Sequence, residues 1–189
     1  SACGSTIADR PWSTLGIERK LNPRLQHTQR EEFVRAAARK LPKPLYFDHM
    51  ETANLEGPAL LGRLPVIDPL TPAAFARMAD NAYVIDVRGI EAFAASHVPG
   101  SFAMALHRLP NSIGWFVPYD RPLLLVIDEG SVKDVLPYLV RQGYDDVRGY
   151  LSDGLRGWAM GGRPTQSIAL LSPEELVNQQ DDWWILYVR

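Results

Sequence analysis

Residues 122 to 127 read PLLLVI, six consecutive positions without a polar side chain. So short a run, apolar on both parities, has no face to offer water, which makes it a central strand covered on both sides. Strand-like and helix-like stretches alternate around it. Tyr83 to Val87 (YVIDV), Ser101 to Ala105 and Val147 to Leu151 read as further strands, and Pro65 to Asp68 as a short apolar stretch. Between them, Thr71-Pro72 opens a helix with Thr as N-cap and Pro at the first helical position. Glu91 to Ser96, Val132 to Gln142 and Leu155 to Met160 read as helical too. Alternation at this spacing predicts an α/β fold, a parallel sheet between helix layers joined by right-handed crossovers.

Residues 1 to 63 lack this alternation. Gln29 to Lys40 reads as a helix with Thr28 and Glu31 as a capping box, ended by Pro42 and Pro44. Met50 to Leu55 reads as a second helix closed by Gly57-Pro58. Large apolar residues are sparse here, so the region is expected to dock on something else.

At the other end, LTPAAFARMADNAYVIDVR (residues 70 to 88) recurs without a gap as LSPEELVNQQDDWWILYVR (residues 171 to 189), an offset of 101 residues. That offset is domain-sized rather than solenoid-sized. The expected organisation is therefore 1–63, a complete unit over 64–167, and the opening of a second such unit over 168–189, as in a segment of a longer protein. Trp183 to Val188 reads as a strand whose apolar side chains need a sheet or a partner's groove. The bulk numbers agree with a globular chain: of 189 residues, 46% are apolar and 22% charged. A net charge of −2 argues against a nucleic-acid partner. No apolar run reaches membrane-spanning length, and Ser1 to Arg10 lacks the apolar core of a signal peptide. The lone cysteine, Cys3, excludes an internal disulfide and fits a reducing cytoplasm. His27, His49, His97 and His107 show no metal-ligand spacing.

Several short motifs follow in a fixed order. They are Asp86-Val87-Arg88, Glu91 with Phe93, His97-Val98-Pro99-Gly100-Ser101, Gly143 to Val147, Leu151, Gly154 with Trp158, and Gly162-Arg163-Pro164. In that order and spacing, Leu70 to Pro164 resembles a rhodanese (sulfurtransferase-type) domain. The resemblance implies a three-layer α/β/α fold with a five-stranded parallel sheet. The residues also carry their own physical reading. Asp86 and Arg88 lie at the carboxyl end of a strand, on the same side of it. Arg88 is expected to pair with Glu91 across the next turn. His97 reads as a turn histidine bonded to a carboxylate, before a Pro99-Gly100 turn. Trp158 reads as an apolar plug on the sheet edge. Asp86, Arg88, Glu91, His97, Gly100, Gly154 and Trp158 are thus expected to hold the fold rather than to do chemistry.

The resemblance places a catalytic cysteine just after the central strand, in a loop whose N–H groups and following helix lower the thiol pKa. Here that loop is Asp128-Glu129-Gly130-Ser131-Val132-Lys133, with no cysteine. A carboxylate does not stably accept a sulfane sulfur. Two acids also repel an anion by about 1–4 kcal/mol at a few ångströms. Asp128 and Glu129 are expected to fill the loop's N–H groups themselves. Ser131 and Asp134 are alternative caps of the next helix; with the first, Pro137 is interior to it.

Ser13 to Leu25, Glu32-Phe33-Val34, Leu41 to Pro44, and Met50 with Asn54 resemble the C-terminal part of a metallo-β-lactamase-fold persulfide dioxygenase. Ser1-Ala2-Cys3-Gly4 resembles the stretch after the last active-site histidine in lactamase-fold/rhodanese fusions. The resemblance implies a flanking lactamase-like domain that binds iron or zinc and a second rhodanese domain. It implies no cofactor or metal in this chain, where no HxHxDH pattern occurs. The expected function is a non-catalytic rhodanese module, scaffold or docking unit, in a sulfur-metabolising fusion acting on persulfide or thiosulfate. An active sulfurtransferase and an anion-binding regulatory module are the alternatives, and homo-oligomerisation stays open.

Overall fold

The computed structural model describes residues 10–38, 42–58, 60, 62–127, 132–178 and 183–186. Two compact units are present, Ser1–Lys43 and Pro44–Arg189.

The first unit holds two helices, α1 (Leu15–Leu21) and α2 (Arg30–Ala37), linked by a 3₁₀ turn over Pro23–Gln26. Thr14 caps α1 by accepting from the Ile17 N–H, and Asn22 caps the 3₁₀ turn through the Arg24 N–H. Hydrogen bonds from Ser13 and Asn22, with Arg10 nearby, hold the Glu18 carboxyl below the usual carboxylate range. None of these three elements has a buried residue, in keeping with a region short of large apolar side chains. The capping box expected from Thr28 is not formed. The helix starts one turn position later, with Gln29 at the N-cap and no side-chain cap bond.

The second unit begins with α3 (Tyr46–Glu56), closed by Gly57 at φ +84°. It is longer than the Met50-to-Leu55 expectation, and it belongs with the α/β unit rather than with the region before it. There follow β1 (Pro69–Leu70), α4 (Pro72–Ala79), β2 (Tyr83–Asp86), α5 (Ile90–Ala95) and β3 (Phe102–Ala103). Then come α6 (Leu109–Phe116), β4 (Leu123–Val126), α7 (Val132–Arg141), β5 (Val147–Leu151), α8 (Gly154–Met160) and α9 (Pro173–Asn178). The five strands form one parallel sheet in the order β1-β5-β4-β2-β3. β4 lies at its centre as expected, each residue at most 1% exposed.

Alternation along β4 feeds two cores. Leu123, Leu125 and Ile127 join Ile85, Leu109, Ile113, Val135 and Leu139 on one face. Leu124 and Val126 join Phe75, Val84, Leu151 and Trp158 on the other. α4 starts as expected, with Thr71 accepting from the Ala74 N–H and Pro72 at the first position. α7 begins at Val132, so Pro137 is interior to it. α6 is not legible from local propensity: Pro110, Asn111, Ser112 and Gly114 are weak helix formers. Burial of Leu109 and Ile113 overrides that weakness. Gln142 secures the start of α6 by donating to the Pro110 carbonyl (2.9 Å).

At the far end, the described residues of the second copy form a helix, and those within the expected strand do not form one; Tyr187 and Val188 lie outside the described residues. α9 opens with a reciprocal capping box between Ser172 and Glu175, as Thr71 opens α4. Residues 183–186, expected within a strand, are not one. A strand needs a ladder partner, and Trp184, Ile185 and Leu186 stand exposed with none.

Tyr144 closes the α6 face of the core. Its hydroxyl donates to the Val117 carbonyl at 2.6 Å, and its ring stacks on Tyr119 at 4.3 Å. Burial, then the bond with Tyr119, pushes its pKa far above the usual tyrosine value. The folded state therefore keeps this proton after the unfolded chain has lost it. The stabilisation is complete below pH about 10 and declines as pH rises past the unfolded value. Chemical denaturation between pH 8 and 11 is expected to show this loss above pH about 10, and Tyr144→Phe to flatten that part of the profile.

Candidate functional site

The carboxyl ends of β2, β4 and β5 meet at one edge of the sheet, where open α/β folds place their ligands. β2 delivers Asp86 to this edge fully buried. The next turn brings Arg88 back over it, and Arg88 Nε donates to both Asp86 oxygens (2.9 and 3.1 Å). Arg88 Nη2 donates to Asp86 Oδ2 at 2.6 Å and to the Ser96 carbonyl at 2.8 Å. The Arg88 backbone N–H also donates to Asp86 Oδ1 (3.1 Å). The expected Arg88–Glu91 pair is not formed: Asp86 is nearer in the chain and wholly desolvated, so it takes the guanidinium, and Glu91 is left exposed on α5.

His97 is buried at 6% exposure with its ring stacked on Phe93 at 4.0 Å. Its Nδ1 meets the Phe93 carbonyl at 2.9 Å, so the partner is a backbone carbonyl and not the expected carboxylate. Its backbone exchanges bonds with Gln166 (2.8 and 3.0 Å), tying the chain after α8 back to α5. The turn that follows is as expected: Ser101 N–H reaches the Val98 carbonyl at 3.1 Å, with Gly100 at φ +76°. Trp158 fills the second core rather than plugging an edge. It meets Phe75 edge-on at 6.0 Å, donates to the Pro164 carbonyl at 2.8 Å, and carries the Arg163 guanidinium 5.2 Å above its ring.

The cleft itself, of about 850 Å³, opens between the end of β4 and α8. Ile127, Val132 and Met160 give it apolar walls, and Asp153 and Arg156 supply charge. Of the loop singled out in the sequence, Val132 and Lys133 are the first residues of α7; Asp128, Glu129, Gly130 and Ser131 lie outside the described residues. Two consecutive left-handed residues, Asp153 (φ +55°) and Gly154 (φ +53°), turn the chain from β5 into α8 at the cleft. A non-glycine residue in that region is uncommon, and aspartate is among the few that tolerate it. Sequence reasoning named Gly154 but missed Asp153, Arg156 and Met160. The readable signal was the Asp153-Gly154 dipeptide between a strand and a helix. Among the described residues no three His, Cys, Asp or Glu side chains converge as metal ligands, and no helix is long and apolar enough to cross a membrane.

Comparison with known proteins matches residues 71–160 to the rhodanese-like domain model. Thiosulfate sulfurtransferase GlpE of Actinobacillus succinogenes is 31% identical over 98 residues, covering 50% of this chain and 84% of that protein. GlpE of Pseudomonas putida strain F1 is 38% identical over 82 residues, covering 41% and 69%. Among solved structures, a metallo-beta-lactamase from Staphylococcus aureus aligns with a TM-score of 0.62 and 28% identity over 79% of this chain. The chain spans 41% of that structure's length.

Removal of the Asp86 carboxylate strands a desolvated guanidinium. Asp86→Ala is expected to cost about 3–5 kcal/mol, read as a lower urea midpoint at unchanged slope, and Glu91→Ala to leave the unfolding free energy within about 0.5 kcal/mol of the parent.

Proposed function

This chain belongs to the rhodanese-like domain family, and from that premise we propose that it is a member without sulfur-transfer chemistry of its own. It serves instead as a scaffold or docking module in a lactamase-fold/rhodanese fusion that handles persulfide or thiosulfate sulfur. The observation that carries this is the sequence after β4, where Ile127 is followed by Asp-Glu-Gly-Ser-Val-Lys and by no thiol. Sulfur transfer through a covalent persulfide needs a thiolate, and neither carboxylate nor hydroxyl substitutes for it. Cys3, the one thiol in the chain, lies more than 120 residues before that loop in sequence.

The fusion partner is inferred from the resemblance of residues 13–54 to a lactamase-fold dioxygenase, supported by the alignment to a lactamase structure across 79% of the chain. The iron or zinc of such a partner would be held by other residues, since those described here do not converge as a ligand set. Leu171 onward would open a second rhodanese domain, to which α9 contributes the first helix. A cytoplasmic setting suits a chain whose single cysteine forms no internal disulfide.

A cyanide–thiosulfate assay on the 189-residue chain is expected to give no thiocyanate above the uncatalysed rate, with Cys3→Ser indistinguishable from the parent. Turnover abolished by Cys3→Ser would restore the sulfurtransferase reading. Calorimetric heat with millimolar thiosulfate in the absence of turnover would favour the anion-binding module.

A further inference from the structure

We propose that α3, with Pro44 before it, is a releasable strap. It docks on a preformed seat between α6 and α7 and lengthens the tether in front of the sheet when it lets go.

The seat is built around two glycines. A Cβ at Gly114 in α6 would lie 2.6 Å from Tyr46 Cδ1 and 3.0 Å from Tyr46 Cβ, so only glycine admits this ring. A Cβ at Gly143, in the turn after α7, would collide with the His49 imidazole. His49 stacks on Tyr119, with centroids 4.3 Å apart and planes 12° from parallel; Tyr119 stacks in turn on Tyr144 at 4.3 Å and 10°. Pro44 is buried at the start of the strap. Tyr46 and His49 lie three apart, on one face of the helix.

The seat does not need the strap. Tyr119 donates to the Gln142 carbonyl at 2.8 Å, Tyr144 to the Val117 carbonyl, and Gln142 to the Pro110 carbonyl. All of these partners lie in α6, in the segment after it, or in the turn after α7. The strap, conversely, contributes nothing to either core. No residue of α3 is buried: Phe47 and Ala53 are half-buried, and Met50 and Leu55 are 38% and 88% exposed. A helix of 11 residues is marginal alone in water, so an undocked α3 melts. Melting takes its span from about 16 Å as helix to as much as about 38 Å extended. The segment in front of the sheet then lengthens while the five strands stay paired. Opening of this kind belongs to the low-stability end of the native ensemble, where few buried apolar contacts must be broken.

Native-state hydrogen exchange on the full chain tests this at residue resolution. In the parent, amides of α3 are expected to be protected but to exchange through a local opening, faster than those of β4 (Leu123–Val126). Tyr46→Ala, His49→Ala and the double variant are expected to lower α3 protection about tenfold or more and to leave β4 protection unchanged. Equal losses in α3 and β4 would make α3 part of the global folding unit and overturn the proposal. Unchanged α3 protection in the double variant would also overturn it, because the two rings would not be what holds the strap. So would unprotected α3 amides in the parent, since no docked state would then exist to release.

Discussion

Burial of β4 on both faces is the constraint from which the rest of the second unit follows. Four consecutive residues at most 1% exposed leave the strand no polar face. It must therefore pair on both edges and be covered above and below. β5 and β2 supply the edges; α6 and α7 cover one face, α4 and α8 the other. Parallel pairing on both sides then demands crossovers, and α4, α6 and α7 lie in those connections, while α8 follows the last strand. The carboxyl end of this strand thus points into a cleft between helix layers whether or not the residues there do chemistry.

The sheet's second requirement is electrostatic. A carboxylate at the buried end of β2 costs several kcal/mol unless it is fully paired. Asp86 is satisfied by four donor contacts from Arg88, and Arg88 also donates to Ser96 at the end of α5. The pair joins the end of a strand to the end of the next helix, fixing the crossover from β2 toward β3. His97 continues the task, with its ring on Phe93 and its backbone on Gln166. These side chains are positioned by burial and bonding to one another, and none of them faces the cleft.

Sequence made β2 to β5, the Thr71-Pro72 helix start and the Pro99-Gly100 turn legible because each has a local cause: apolar parity, a capping side chain, a dihedral preference; β1 (Pro69–Leu70), beside rather than within the Pro65-to-Asp68 stretch, was not. It misassigned the partners of Arg88 and His97 because both were drawn from charge proximity along the chain. The structure resolves each by desolvation instead, giving Arg88 the buried Asp86 over the exposed Glu91, and His97 the backbone carbonyl one helical turn back. α6 was invisible because its residues are poor helix formers and its cause is tertiary. The seat of α3 was invisible for the same reason: nothing local marks Gly114 or Gly143 as a receptor for a ring on a helix about 70 to 90 residues earlier. Over its described residues, 183–186, the expected strand fails in the opposite sense. Its propensity is strong, but propensity without a ladder partner does not make a strand.

On the reading proposed above, the contrast between the two halves of the sheet edge has a physical basis. Asp86, Arg88, His97 and Trp158 sit in interiors where any replacement leaves an unpaired charge, an unbonded carbonyl or a void, so stability alone suffices to retain them. The loop after β4 answers to chemistry, because a thiolate there contributes nothing to the two cores below it. Once sulfur transfer is carried out elsewhere in a fusion, the chemical demand for a thiolate in the loop is lifted while the demands of the two cores remain. On that reading the folding constraints on such a domain and its catalytic constraint are separable, because Asp86, Arg88, His97 and Trp158, which meet the first, do not line the cleft that serves the second.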